Sequence, residues 1–506
     1  MKLKKGHFKI KQPQPRKEAI KTMSDSGSYT GNQMDERPVL VARRLAEYAI
    51  GLNYESLPQE VVKQAKRAVL DLLGCAIGGY GSEASRIVLQ FIKEIGGTPE
   101  STIIGNGLKT SCLNAVLANG AMARYLDYND CYRVIIKGAK GQGSHPCELI
   151  PAALALGERQ HSSGQEVITA IVLGYEVSAR FIEGVEIPME KRGWSADTRG
   201  PYVMPVVAGK ILGLNGEQMM NAIGISGSHN MVLGILDAPG EEYSMTKNLR
   251  FPRTAYGGIM AALLAQKGFT GPVRVIEGNR GFIQAVMGGC YDVNKLNQGG
   301  EHFKILDVEF KSFCSTRAMQ AHLSATMSLI KEHDIKPEDV AQIRIWGGAR
   351  DVEHTGDEAK RYPKNKESAD HSSYYCTARI VMDRMLGPGQ YTPEKLQDPR
   401  ARELSDKIIF QADHDLDHGL GGISEITTKQ GNVYKRRVDY PEGHPRNPMT
   451  DAELEGKFRA LASEYMTETQ VRKVIDTVNR LEKLDDIGLL MQTVVFKKEE
   501  IRSAKP

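Results

Sequence analysis

The spacing of apolar residues changes twice along this chain, and this change constrains its fold more than any other feature. Between residues 38 and 268 the apolar residues recur at helical spacing, in Ala- and Gly-rich segments broken by Gly, Ser or His. This pattern ends where Gly268 is a candidate helix C-cap and Pro272 prevents the helix from resuming. The first part of the chain is therefore predicted to be helical.

Strand signals occupy the region that follows. Residues 342–346 alternate between apolar and polar side chains, and residues 423–428 and 433–438 flank a Gln-Gly-Asn turn that predicts a hairpin. Helical spacing then returns, and Thr450 with Glu453 forms the signature of a capping box at its start.

These changes predict a mainly α fold with α+β content. A large all-helical domain is built from both chain ends, and an α+β lid domain is inserted into it. The predicted divisions are a disordered basic and polar tail, the first helical part, the lid domain, the C-terminal helical part and a second tail, at 1–35, 36–272, 273–445, 446–490 and 491–506.

Charge and cysteine content exclude several classes of protein. Residues 1–22 hold eight Lys/Arg residues and one acidic residue, so the remaining chain carries a net charge of −3 out of a total of +4. A nucleic-acid-binding surface on the folded part is therefore not expected. The seven cysteines form no C-x-x-C pair, which argues against an iron–sulfur cluster and favours a reducing cytoplasm. No secretory signal is recognised, and no apolar run approaches the ~20 residues of a membrane span.

Polar motifs at helix boundaries mark a candidate active site. The sequence Asp-Tyr-Asn-Asp at 127–130 is followed by the pair His145-Pro146, which opens an apolar helix. A carboxylate and an imidazole placed in this way can abstract a proton next to a carboxylate and stabilise the resulting charge. Three later segments carry further candidates: Met245-Thr246-Lys247, Phe310-Lys311-Ser312-Phe313 and Asp370-His371-Ser372-Ser373-Tyr374-Tyr375.

Together, and in this order, these segments resemble the MmgE/PrpD family, which contains 2-methylcitrate dehydratases and cis-aconitate decarboxylases. The resemblance covers most of the chain from 38 to 490 and implies a homodimeric lyase of small di- or tricarboxylates that uses no cofactor and no metal. The catalytic residues implied by the motifs are Asp127, His145, Lys247, Lys311 and Tyr375. The residues expected to bind substrate are Asp130, Cys131, Trp194, Arg317 and His371.

The sequence departs from the family pattern at a few positions. Cys131 stands where a threonine is common, and Cys314 stands where a proline is usual. The Gly- and Lys-rich stretch at 131–144 looks longer than in relatives and is predicted to be a mobile entrance loop. The Asp- and His-rich residues 413–418 have metal-ligand spacing, but a charged surface turn is the preferred interpretation.

Three hypotheses for function remain open. The first is a hydro-lyase that dehydrates a hydroxy tricarboxylate such as 2-methylcitrate, which the sequence at 126–130 favours. The second is a cis-aconitate decarboxylase or an epimerase of small diacids with the same fold. The third is a helical binding protein that has lost catalysis.

Overall fold

Helices dominate the computed structural model, which describes residues 40–136, 139–296 and 302–496. The longer helices of the first part are α1 (Val41–Gly51), α2 (Gln59–Gly79), α3 (Glu83–Ile95), α4 (Cys112–Tyr125), α5 (Ile150–Gln160), α6 (Gly164–Glu183), α7 (Gly200–Ile211), α8 (Gly216–Gly227) and α9 (Arg250–Gln266). Helix α6 begins at a capping box, in which Ser163 and Glu166 bond each other's backbone amides. It lies at the centre of this part, so its residues are buried on nearly every side.

Shorter helices follow in the region where the sequence predicts mixed structure. They are α10 (Phe282–Ala285), α11 (Gln320–Glu332), α12 (Ala349–Thr355), α13 (Lys366–Ala369), α14 (Ser373–Asp383), α15 (Pro393–Leu396) and α16 (Pro399–Asp406). The chain ends its described part with α17 (Asp451–Ala462), α18 (Glu468–Asn479) and α19 (Gly488–Thr493). The capping box predicted from Thr450 and Glu453 starts α17 and is confirmed.

Three small sheets accompany the helices. The strands are β1 (Ser101–Thr102), β2 (Lys109–Thr110), β3 (Tyr132–Ile136), β4 (Ala139–Ser144), β5 (Val340–Gly347), β6 (Ile408–Ala412), β7 (Gly422–Thr428) and β8 (Val433–Val438). The largest sheet has the order β6-β5-β7-β8, in which β5 runs parallel to β6 and antiparallel to β7. Strands β7 and β8 form the predicted hairpin, with Gly422 opposite Val438. Helix α11 packs against β7 and β8.

Two hydrophobic cores hold these elements together. The first is built from residues between 41 and 310 and between 449 and 496, and the second mainly from residues between 313 and 426. Helix α17 packs on α2, where Gly74 and Gly78 leave room for Phe458 and Leu461; a Cβ atom added at Gly74 would lie 3.2 Å from the Phe458 ring. Both chain ends therefore contribute to the first core, and the mainly α fold with α+β content is confirmed.

The structure differs from the sequence analysis at residues 131–144. The predicted mobile loop is a β-hairpin of β3 and β4, with Tyr132 opposite Ser144 and Arg133 opposite Gly143. Val134, Ile135 and Ile136 explain the difference, since consecutive β-branched residues favour an extended chain. Lys137 and Gly138, which contributed to the loop prediction, lie outside the described residues.

The domain bounds remain a prediction. The tail predicted at 1–35 lies outside the described residues, whereas α19 and the buried Phe496 extend the folded chain beyond residue 491. Residues 275–310 contribute to the first core, which favours a lid domain that begins nearer to 313 than to 273. A homodimer also stays a prediction, since one chain is described. In the described part of the chain, no helix combines the length and the apolar character that a membrane crossing requires.

Candidate active site

Asp127 lies just after the C-terminus of α4, in a left-handed backbone conformation with φ 49°. Aspartate is one of the few residues other than glycine that adopt this conformation readily. The turn directs the side chain inward, where it is only 1% exposed.

Three cations surround the Asp127 carboxylate. The ammonium of Lys311 lies 2.6 Å from Oδ1 and also donates to the Asp127 carbonyl oxygen at 2.7 Å. The ammonium of Lys247 lies 2.9 Å from Oδ2, and the guanidinium of Arg124 lies 3.0 Å from Oδ1. Burial alone would raise the pKa of Asp127, but these cations outweigh it and hold the pKa well below its usual range. Asp127 is therefore ionised and is a weak base.

Asp370 and His371 lie just before α14, and both contact the ammonium of Lys247. The Lys247 ammonium lies 3.2 Å from Oδ1 of Asp370, and Lys366 lies 2.6 Å from Oδ2. The pKa of Asp370 is lowered, because Lys247 and Lys366 outweigh the effect of burial. Nδ1 of His371 lies 2.5 Å from Oδ1 of this carboxylate, so we assign a proton to Nδ1. Nε2 of His371 is then the basic nitrogen, and it lies 3.5 Å from Oδ2 of Asp127.

His371 is neutral in this setting. Burial and the neighbouring Lys247 ammonium lower its pKa to about 4, although Asp370 and Asp127 act in the opposite direction. The ring packs edge-on against Tyr243, with centroids 5.2 Å apart. An imidazole held in this state can accept a proton but has none to spare at neutral pH.

Asp127, Asp370 and His371 form the group among the described residues that could hold a metal ion, with ligand atoms within 4.8 Å of one another. The Lys247 ammonium lies 2.9, 3.2 and 3.3 Å from these three side chains. A metal ion there would have to displace this ammonium or coexist with its charge. The arrangement thus fits a lysine anchored by two carboxylates better than a resident metal ion.

His145 is the second imidazole of the site. Its Nδ1 lies 2.7 Å from the carbonyl oxygen of Asp130, which can only accept, so Nδ1 carries a proton and Nε2 is the basic nitrogen. Arg199 donates to the His145 carbonyl oxygen at 2.8 Å and fixes the backbone. Burial, Lys311 and Arg124 lower the pKa of His145 well below its usual value. His145 is therefore a second neutral base close to the cations of Asp127.

Asp130 supports His145 and does not join the cation cluster. Its Oδ2 accepts from the hydroxyl of Tyr175 at 2.6 Å, and its Oδ1 accepts from the amide of Cys147 at 3.3 Å. Burial raises the pKa of Asp130 to about 6. The structure gives Asp130 contacts that orient the loop before α5.

The other predicted residues lie in different settings. Cys131 and Arg317 are buried beside Glu309, whose backbone pairs with that of Cys131. Trp194 is half-buried against the first core, and its backbone pairs with that of Leu233. The Tyr375 hydroxyl donates to the carbonyl oxygen of Gln390 inside the second core. The structure therefore does not bring Tyr375 into contact with the cluster, because it lies one helical turn beyond His371 on α14.

The sequence motifs do not single out Arg124 or Glu148, and they do not predict the ion pairs of Asp370. Arg124 lies three residues before Asp127 at a helix end, a spacing that predicts contact. Its Nε also lies 2.8 Å from Oε1 of Glu148, whose pKa is raised to about 7 by burial and by Asp197. Asp370 belongs to a recognised motif, but its residue type alone does not show which lysines it contacts.

Two models of one family match this chain. The MmgE/PrpD N-terminal domain matches residues 43–292, and the MmgE/PrpD C-terminal domain matches residues 313–483. Cis-aconitate decarboxylase of Homo sapiens is 27% identical over 459 residues, which cover 87% of this chain and 91% of that protein. The Mus musculus protein of the same name is 26% identical over 463 residues, with 87% and 90% covered.

A dehydratase is also among the relatives. The mitochondrial 2-methylcitrate dehydratase of Yarrowia lipolytica is 24% identical over 481 residues, which cover 87% of each chain. These relatives are lyases by name, and the two reactions that their names describe differ. Because the two domain models together match most of the sequence, this chain belongs to the MmgE/PrpD family.

Proposed function

We propose that this chain is a lyase of a small tricarboxylate and that it dehydrates a hydroxy acid such as 2-methylcitrate. The observation that carries the proposal is His145, a neutral imidazole with an unprotonated Nε2 beside the buried cations Lys311 and Arg124. Dehydration needs such a base, because a proton must leave the carbon next to a carboxylate.

The lysines supply the second requirement. A proton next to a carboxylate is only weakly acidic, and negative charge accumulates on the carboxylate oxygens as it leaves. Lys247 and Lys311 are 1% and 0% exposed, so little water screens their charge. We assign them the role of holding the substrate carboxylate on which this charge develops.

The departing hydroxyl needs a proton. Lys247 is the best placed donor, because burial lowers its pKa more than Asp127 and Asp370 raise it. In the proposed step His145 Nε2 takes the proton from carbon, the carbon–carbon double bond forms, and the hydroxyl leaves as water with a proton from Lys247. The site returns to its starting state when His145 releases the proton that it took from carbon and Lys247 regains a proton from water.

Asp127 is assigned a positioning role, one of the two roles that its motif leaves open. Both carboxylate oxygens of Asp127 already contact cations, so neither is placed to take a proton from carbon. Its contacts at 2.6 Å and 2.9 Å instead fix the ammonium groups of Lys311 and Lys247.

Decarboxylation of cis-aconitate is the second candidate. It is supported by the two mammalian relatives of that name, which at 26% and 27% identity exceed the 24% of the Yarrowia dehydratase. The same lysines would hold the remaining carboxylates, and Lys247 would protonate the carbanion left when carbon dioxide departs. The two neutral imidazoles favour dehydration, since that reaction begins by removing a proton.

The test is incubation of the purified protein with 2-methylcitrate, citrate and cis-aconitate, with products identified by mass. We expect loss of water from a hydroxy tricarboxylate and its abolition in His145→Ala. A matched control is His414→Ala, which removes an exposed imidazole. Release of carbon dioxide from cis-aconitate without dehydration would replace the first candidate by the second. Full turnover in His145→Ala would remove His145 from the mechanism.

A further inference from the structure

Arg133 and Arg317 form a second basic group, close to the site of Asp127, Lys247 and Lys311. Both guanidinium groups donate to one acceptor, the carbonyl oxygen of Gly419, and the Arg133 bond measures 2.8 Å. A carbonyl oxygen carries only a partial charge, so it does not neutralise two cations. Two arginines that converge on a neutral acceptor are thus unlike an ordinary ion pair.

The nearby carboxylates offset this charge only in part. Nε of Arg317 lies 2.9 Å from Glu309, but Nη2 of Arg317 is buried and has no hydrogen-bond partner among the described residues. Arg317 is only 5% exposed, so this unpaired nitrogen is costly unless something binds it. Arg133 has no carboxylate within ion-pair distance in the described part of the chain. Burial and the Arg317 charge lower the pKa of Arg133 to about 10, with Asp351 opposing them.

The arginine pair adjoins the lysines of the proposed reaction. Cys131 and Glu309 exchange two backbone hydrogen bonds, at 2.9 and 2.8 Å, which tie the start of β3 to the segment before Lys311. Glu309 precedes Lys311 by two residues, a span of roughly 7 Å along an extended chain. Lys311, Arg317 and Arg133 all lower the pKa of the Cys131 thiol, although burial raises it to about 12. Cys131 is therefore close to both the lysine and the arginine pair.

We infer that Arg133 and Arg317 bind the substrate carboxylate that is remote from the reacting carbon. The planar guanidinium offers two parallel N–H groups to a carboxylate, and Nη2 of Arg317 is already unpaired. Because Lys247 and Lys311 serve the reacting end, this site selects tricarboxylates over dicarboxylates. The inference rests on the proposed function and assigns a specificity role to Arg133, which the sequence motifs do not single out.

Calorimetric titration with two unreactive probes tests the inference. Propane-1,2,3-tricarboxylate carries three carboxylates, and methylsuccinate keeps the central and one terminal carboxylate but lacks the second terminal one. We expect wild-type protein to prefer the tricarboxylate by roughly 10- to 100-fold, the value of a charge-assisted hydrogen-bond pair. In Arg133→Gln this preference should fall to near unity, and Arg133→Lys should recover part of it.

Two further variants separate binding from folding. Arg446→Gln removes a nearby exposed arginine that bonds Tyr440, and it should leave the preference unchanged. Arg317→Lys keeps the charge beside Glu309 and should reduce the preference without unfolding the protein. If Arg133→Gln lowers the melting temperature but keeps the preference, the pair only joins β3 to the Gly419 loop and the inference is overturned.

Failure of the inference and failure of the proposed function give different results. Turnover of a tricarboxylate by an Arg133→Gln variant with an unchanged preference overturns the inference alone. Loss of the preference in that variant, in a protein that turns over none of the three substrates, supports the inference and overturns only the reaction. Binding of neither probe by the wild type overturns both.

Discussion

Two buried histidines, His371 and His322, reach the same protonation state by different routes. The pKa of each is lowered to about 4. His322 lies in α11 with its ring 5.3 Å from that of Phe410, and its Nε2 has no hydrogen-bond partner among the described residues. Its pKa is low because burial excludes water, and only Asp351 opposes that effect.

His371 is instead held between opposing charges. Burial lowers the pKa of His371 most, as it does for His322, but Lys247 lowers this pKa further, whereas Asp370 and Asp127 raise it. The difference teaches that an apolar setting fixes a neutral imidazole, while a charged setting makes its pKa depend on each neighbour. A catalytic site benefits from the second arrangement, since a bound carboxylate can change the balance.

The largest expected effect comes from Asp127→Asn, which removes the negative charge that three cations near His371 share. Arg124, Lys247 and Lys311 would then face one another without their shared counter-ion. We expect the free energy of unfolding to fall by about 3–5 kcal/mol in urea titrations, and turnover to fall at least about 100-fold. The exposed Asp415→Asn is the matched control, and equal stability of the two variants would contradict the pairing.

Lys247→Met should separate the two histidines directly. Loss of the ammonium removes the charge that lowers the pKa of His371, so this pKa should rise towards 6.5 while that of His322 stays about 4. Turnover should fall about 100- to 1,000-fold, because the variant lacks a cation at the developing charge. Nuclear magnetic resonance titration of histidine-labelled protein measures both values. A parallel shift of His322 would show that the two sites are not independent.

The pH dependence of stability tests the effect of burial on the pKa of His322. An imidazole that titrates at 6.5 when unfolded and about 4 when folded adds no penalty above pH 6.5, and it destabilises the fold as pH falls from 6.5 to 4. For His322 the loss amounts to about 3 kcal/mol. His322→Phe should remove that part of the pH dependence in denaturant titrations at pH 4.5 and 7.5. An unchanged slope would mean that water reaches His322.

The smallest effect is expected for Tyr375→Phe, which tests whether the charged surroundings of His371 extend to Tyr375 in α14. The variant loses one hydrogen bond, from the hydroxyl to the Gln390 carbonyl, and should lose about 1 kcal/mol of stability. Turnover should be unchanged, since Tyr375 contacts none of the charged cluster. A fall in turnover of more than about tenfold would return Tyr375 to the catalytic residues.

The sequence predicted three of the residues that meet at Asp127, whereas the roles of all of them stay a prediction. Lys247, Lys311 and His371 could be predicted to lie in one site because they belong to motifs that a known family shares. Their partners Arg124 and Asp370 are ordinary charged residues at helix ends, and only three-dimensional packing shows which ion pairs they form. The role of Asp127 also depends on the number of cations around it, which spacing along a chain does not give.

The fold was predictable to a similar extent. The helical periods, the β7–β8 hairpin and the contribution of both chain ends to one core follow from patterns in the sequence. The β3–β4 hairpin was missed because glycines and lysines outweighed the β-branched residues of β3 in the prediction. The catalytic role of Tyr375 stays a prediction, since its hydroxyl donates to the Gln390 carbonyl oxygen in the second core, one helical turn beyond His371.

The burial of Lys247 and Lys311 has a consequence for the kinetics of association. Both ammonium groups already contact Asp127 and are almost completely covered. An arriving carboxylate can reach them only after the side chains or backbone above them move aside. Binding should therefore occur in two steps, and the observed rate should level off as the ligand concentration rises, at the rate of opening. In stopped-flow experiments that plateau would measure how often the site opens.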